Sequence, residues 1–114
     1  MHEATLAAQV LRIADEALAP QSPPVRSVVV TVGDLSGVMI DALRFAFDAL
    51  KKSTRFADAQ MRVEKQSVVC ACLDCGREYQ PEGFPFVCPV CRSRAFRIIH
   101  GEEVFVKNLE VEQR

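Results

Sequence analysis

The chain has 114 residues, enough for one ordinary domain or a small domain plus a stapled module. Fourteen Lys and Arg against fifteen Asp and Glu leave a formal charge of -1, which lacks the large basic excess typical of nucleic-acid binders. Hydrophobic residues at 49% and charged residues at 25% match the globular norm and exclude a disordered chain. No apolar run approaches the roughly 18 residues that a membrane span requires. The first residues include Glu3 and Gln9 and lack a basic stretch, so no secretory leader is expected. These features point to a cytoplasmic protein.

Leu6, Val10, Ile13, Ala14, Ala17 and Leu18 recur at three- and four-residue spacing, which predicts an amphipathic helix over about residues 3–18. Pro20, Pro23 and Pro24 stop it. Residues 25–32 are mostly β-branched and read as a largely buried strand ending at Gly33. A second helix follows, with Asp34 or Ser36 as its expected cap. Its apolar face is drawn from Val38, Ile40, Leu43, Phe45, Ala46, Phe47 and Leu50. Lys51, Lys52 and Arg55 lie near its end, where the helix dipole favours cations. Met61 and Val63 alternate with polar residues at the start of a strand over 60–69. Residues 103–111 are rich in β-formers and close the chain as a strand.

An isolated strand is unstable, so the last one should return to the sheet made by 25–32 and 60–68. The expected fold is therefore α+β: two helices packed on a small mixed or antiparallel sheet, with the cysteine-rich segment inserted before the final strand. The expected division is residues 1–69 plus 100–114 for the α+β domain and 70–99 for the insertion.

All five cysteines fall between Cys70 and Cys91. Cys72 with Cys75 and Cys88 with Cys91 form two CxxC units, twelve residues apart. In a reducing compartment such a cluster favours metal over disulfides. Each unit brings two thiolates to one ion, and two units complete a tetrahedron for Zn(II), with Zn–S bonds of roughly 2.3 Å. The spacing is close to that of a zinc ribbon. Four thiolates leave no open position for water, so the expected zinc is structural. A zinc enzyme is a rival reading, with candidate bases such as Glu82 but no His-rich open site, and the protein is expected not to be an enzyme. Gly76 after the first unit and Pro89 inside the second suit the turns. A thioredoxin-like redox role for one CxxC is the rival reading of these cysteines. Cys70 reads as a strand-face residue, with exchange for Cys72 as the other reading. Tyr79, Phe84, Phe86 and Phe96 read as packing around the small metal core.

The chain begins Met1, His2, Glu3. The α-amine, the His2 amide nitrogen and the His2 imidazole can chelate one ion in fused rings. A deprotonated amide nitrogen suits square-planar Ni(II) or Cu(II) rather than tetrahedral zinc. The Glu3 amide nitrogen is a candidate fourth donor. Taken alone, exposed terminal residues are more often simply unordered. His100 reads as a surface or structural residue.

Taken together, these elements resemble the HypA/HybF family. The resemblance rests on Met1, His2 and Glu3 running into a helix, on residues 32–38 (Val-Gly-Asp-Leu-Ser-Gly-Val) and on Phe45, Ala46 and Phe47. The two CxxC pairs and Gly101, Glu102 and Glu103 complete it. It covers residues 1 to about 112. The resemblance implies a nickel metallochaperone of [NiFe]-hydrogenase maturation, with Ni(II) held at Met1, His2 and Glu3 and zinc at Cys72, Cys75, Cys88 and Cys91. It further implies a HypB-type GTPase partner and the hydrogenase large subunit as recipient; some members also feed urease. No nucleic acid or membrane partner is implied, and the state is a monomer or weak homodimer. Met39 stands where many relatives carry an acidic residue, so a nickel or partner contact through that acid does not transfer here. The chain has no GxxxxGK[ST] phosphate loop, consistent with a separate GTPase. A zinc-ribbon interaction or nucleic-acid module without nickel transfer is the alternative reading.

Overall fold

The computed structural model describes residues 2–112. Helix α1 (Glu3–Glu16) is followed by strand β1 (Val25–Gly33), helix α2 (Ile40–Leu50) with a short 3-10 turn, and β2 (Gln60–Gln66). Then come β3 (Val69–Cys72), β4 (Glu78–Tyr79), β5 (Phe96–His100) and β6 (Val104–Val111). The strands form two three-stranded sheets, ordered β2-β1-β6 and β4-β3-β5.

β1 is the central strand of the first sheet, parallel to β2 and antiparallel to β6. The last strand therefore does return to the first sheet, giving the expected mixed sheet with two helices. β1 is buried along almost its whole length, which its β-branched run requires. Val28, Val30 and Val32 face the helices and meet Leu6, Val10, Leu43 and Phe47 in one core. Phe56, just before β2, is also fully buried there. On the other face two ion pairs bridge β2 to β6 over β1: Arg62 to Glu110 at 2.6 Å and Lys107 to Glu64 at 2.8 Å. Val29 lies on that helix-free face yet is only 2% exposed. The stems of the paired side chains account for this, since long charged residues cover apolar surface while keeping their heads wet.

Helix α1 ends at Glu16, two residues earlier than expected, with Ala17 as its C-cap. Its buried stripe is Leu6, Ala7, Val10, Leu11 and Ala14, whereas Ile13 and Ala17 point outward. Helix α2 starts at Ile40, and neither Asp34 nor Ser36 caps it. The Ser36 hydroxyl instead accepts the Val38 amide at 3.3 Å, a local turn that competes with helix. Leu43 and Phe47, four residues apart, carry the burial, whereas Phe45 is 78% exposed. The two helices run side by side in the same direction. Glu3 reaches the start of α2, and Arg55 beyond its end pairs with Asp15 at 2.9 Å and donates to the Ala19 carbonyl.

The second sheet lies, in chain order, between β2 and β6, and its core is small: Cys70, Cys72, Tyr79, Phe86 and Cys88. Phe96 and Ile98 pack against it; Phe84 packs there as expected through one face, stacked on Phe86, but remains 81% exposed. A backbone clasp joins the two sheets. The Gly33, Asp34 and Leu35 amides donate to the carbonyls of Glu103, Gln66 and Gly101 at 2.8, 3.0 and 2.8 Å. Gly33 meets Gly101 so closely that a Cβ on Gly33 would lie 2.3 Å from the Gly101 carbonyl group. A Cβ on Gly101 would lie 2.8 Å from the Val68 Cα. The described residues span 54 × 29 × 18 Å.

Candidate metal centre and the N-terminal residues

Cys72 ends β3, and the chain must reverse at once to supply Cys75. The Gly76 amide donates to the Cys72 carbonyl at 3.0 Å, with Gly76 at φ +77°. Cys88 begins the matching turn, in which the Arg92 amide donates to the Cys88 carbonyl at 3.0 Å. Arg92 adopts φ +66°, the only non-glycine residue with positive φ among the described residues. The second turn thus has the same conformation as the first without a glycine to announce it. The Ser93 hydroxyl donates to the Asp74 carboxylate and ties the two turns together.

The four sulfurs of Cys72, Cys75, Cys88 and Cys91 all lie within 4.8 Å of one another. Cys72 and Cys91 are 3.5 Å apart, and Cys75 and Cys88 are 3.7 Å apart. Tetrahedral zinc thiolate bonds require sulfur separations of about 3.8 Å, so the donor set and its spacing fit that ion. The amides of Cys75 and Asp74 stabilise the Cys72 thiolate and bring its pKa down to about 6. The amides of Cys91 and Val90 likewise lower Cys88. The Ser93 amide favours the Cys91 thiolate. The proton shared with Cys72, together with burial and the remaining thiols, outweighs it and pushes Cys91 up to about 12. Four thiolates can ionise together only beside a cation, so metal binding and proton release are linked here.

Cys70 lies outside this set. It is fully buried in β3 opposite Tyr79 and Ile98, and burial raises its pKa. His100 is exposed at the end of β5.

Of the three N-terminal candidates, Met1 lies outside the described residues. His2 is exposed and extended, and its carbonyl accepts the Leu6 amide at 3.1 Å. Glu3 opens α1, where the first amides have no partner within the helix. Its carboxylate accepts the Met39 amide at 3.1 Å, so Glu3 supplies the α2 cap that Asp34 and Ser36 do not. This hydrogen bond holds the Glu3 carboxyl below the usual carboxylate range. No local sequence signal could have shown the contact, because its partners are 36 residues apart. Met39 itself is 68% exposed and brings no acid to this place.

The fold and the sulfur cluster define a class: a small α+β protein whose second sheet carries four cysteines clustered as a metal site would require. The chain belongs to the HypA family, described as hydrogenase/urease nickel incorporation, metallochaperone, whose model matches residues 1–111. It is 35% identical over 112 residues to the hydrogenase maturation factor HypA of Geobacter metallireducens, covering 98% of this chain and 100% of that one. It is 36% identical over 113 residues to the factor of that name from Aquifex aeolicus, covering 98% of each. The solution structure of the Ni metallochaperone HypA from Helicobacter pylori matches with a TM-score of 0.72 at 25% identity, over 97% of each chain. Among the described residues, no helix is long and apolar enough to cross a membrane.

Proposed function

We propose that this chain binds Ni(II) at Met1, His2 and Glu3 and delivers it, with a HypB-type GTPase, to a [NiFe]-hydrogenase large subunit in the cytoplasm. Urease maturation proteins are a second class of recipient. The observation that carries this reading is the whole-chain match to a nickel-incorporation family in a protein whose His2 is exposed at the very start of a helix. Residues 1–69 plus 100–114 form the nickel-carrying unit, and 70–99 form the zinc unit. Cys72, Cys75, Cys88 and Cys91 hold the structural Zn(II), whose part is to fix two chain reversals that the small core cannot hold alone.

The Glu3 carboxylate is engaged by Met39, so Glu3 serves nickel through its main-chain nitrogen. The site has few donors and little cover, which suits a carrier that must let its cargo go. The protein is a carrier and not an enzyme, and works as a monomer or weak homodimer.

Titration of Ni(II) into untagged protein with an authentic N-terminus, beside His2→Ala, tests the reading. The expected result is one zinc in both proteins, with one nickel and a square-planar absorption band in the wild type alone. Equal nickel binding by both proteins removes the N-terminal site and leaves a zinc-stapled interaction protein.

A further inference from the structure

The clasp between the two sheets leaves a cleft of about 300 Å³ beside it. One wall is the turn after β1, with Asp34 and Leu35; the other is the loop after β4, with Glu82 and Phe84. Ser67 and Val68, in the link from β2 to β3, also line it. Two features of these walls lack a use within the chain. Phe84 stacks on Phe86 with ring centroids 4.4 Å apart, which fixes it in place, yet it remains 81% exposed. Leu35 on the opposite wall is 37% exposed. The charge is also one-sided. Asp34 and Glu82 line the cleft and no described Lys or Arg does; Arg92 lies on the far side of the Glu82–Phe84 loop, and neither carboxylate joins an ion pair among the described residues.

The first wall is held by main-chain bonds: the Asp34 amide to the Gln66 carbonyl and the Leu35 amide to the Gly101 carbonyl. A cleft fixed in this way loses little conformational entropy when it is filled. We infer that it is a docking groove for an extended segment of a partner protein, one that sets basic residues beside a large apolar side chain. The apolar side chain lies between Leu35 and Phe84, and the basic residues meet Asp34 and Glu82. The carboxylates would set orientation and rate of encounter, and the buried anchor would supply most of the affinity. A segment so placed touches both sheets at once. The cleft is distinct from the N-terminal residues, and the inference stands whether or not nickel is carried there.

The test is selection of phage-displayed random nonapeptides on the immobilised full chain with its metal bound. Binding of the selected peptides is then measured to the wild type, to Asp34→Asn with Glu82→Gln, to Phe84→Ala and to His2→Ala. Metal content and helical circular dichroism confirm that each variant is folded. The exposed Phe84 side chain makes its variant usable even if the double variant loses its metal. The expected result is enrichment of Lys or Arg beside Phe, Leu or Met, with binding weakened about tenfold or more by the Asp34/Glu82 and Phe84 changes. Binding should also weaken with added salt and be unchanged in His2→Ala. Failure to select any binder overturns the inference, as do binders without basic residues or binders indifferent to Phe84→Ala.

Discussion

The two sheets of this protein are held together by different means. The β2-β1-β6 sheet has two amphipathic helices on one face and two ion pairs across the other, so its central strand is shielded on both sides. Among the described residues no helix packs on the β4-β3-β5 sheet; its buried core is three cysteines, Tyr79 and Phe86. The first unit buries enough apolar surface to offset chain entropy; the second is too small to do so. On the function proposed above, an ion held by its sulfur cluster makes up the difference, as a cross-link that exists only when the ion is bound. That reading predicts one chain with a part whose stability follows packing and a part whose stability follows metal and pH.

The largest effect should separate these two regimes. Cys72→Ser or Cys88→Ser should abolish stoichiometric zinc and remove amide-exchange protection from β3 to β5, while helical circular dichroism persists. Loss of the helical signal together with the zinc would mean that the two units fold as one. Acid should act in the same direction, because protonating thiolates releases the ion. Zinc content should therefore fall as pH is lowered, with the first sheet still folded.

Phe47→Ala is the reciprocal test. It removes a fully buried ring from the first core and should destabilise that unit by about 3–5 kcal/mol in urea unfolding, without loss of zinc.

The clasp comes next. Gly33→Ala and Gly101→Ala force backbone apart where no flexible side chain can yield, and should cost about 1–3 kcal/mol. If the clasp links the units, these variants should also weaken any dependence of nickel affinity on zinc. Nickel affinity that ignores zinc in the wild type would remove that link.

The smallest effect belongs to Glu3. Its carboxyl is lowered in the folded state, so its contribution is complete above the unfolded carboxylate pKa and is lost as pH falls through the folded value. The thermal midpoints of wild type and Glu3→Gln should differ slightly near neutral pH and converge in acid. A constant difference across pH would show that the charge on Glu3 plays no part in capping α2.

Much of this protein was decided within short stretches of chain. Helix α1, the buried β1 and the paired CxxC turns follow from periodicity, β-branching and ligand spacing, each a property of a few neighbouring residues. The resemblance to the HypA family was legible for the same reason. The sequence also implied the return of the last strand, because an unpaired strand has no stability of its own. It misplaced what depends on distant neighbours. Phe45 and Ile13 fit an apolar stripe, but the sheet touches only the arc through Leu43 and Phe47 on α2 and Leu6 and Val10 on α1. Phe84 stacks on the core ring Phe86, yet its loop runs along the junction and leaves the other face of the ring in solvent. The cap of α2 comes from Glu3, and the contact of Gly33 with Gly101 joins residues 68 positions apart. Such contacts arise only once the sheets have paired, because the fold, and not the local chain, sets which distant backbones come close.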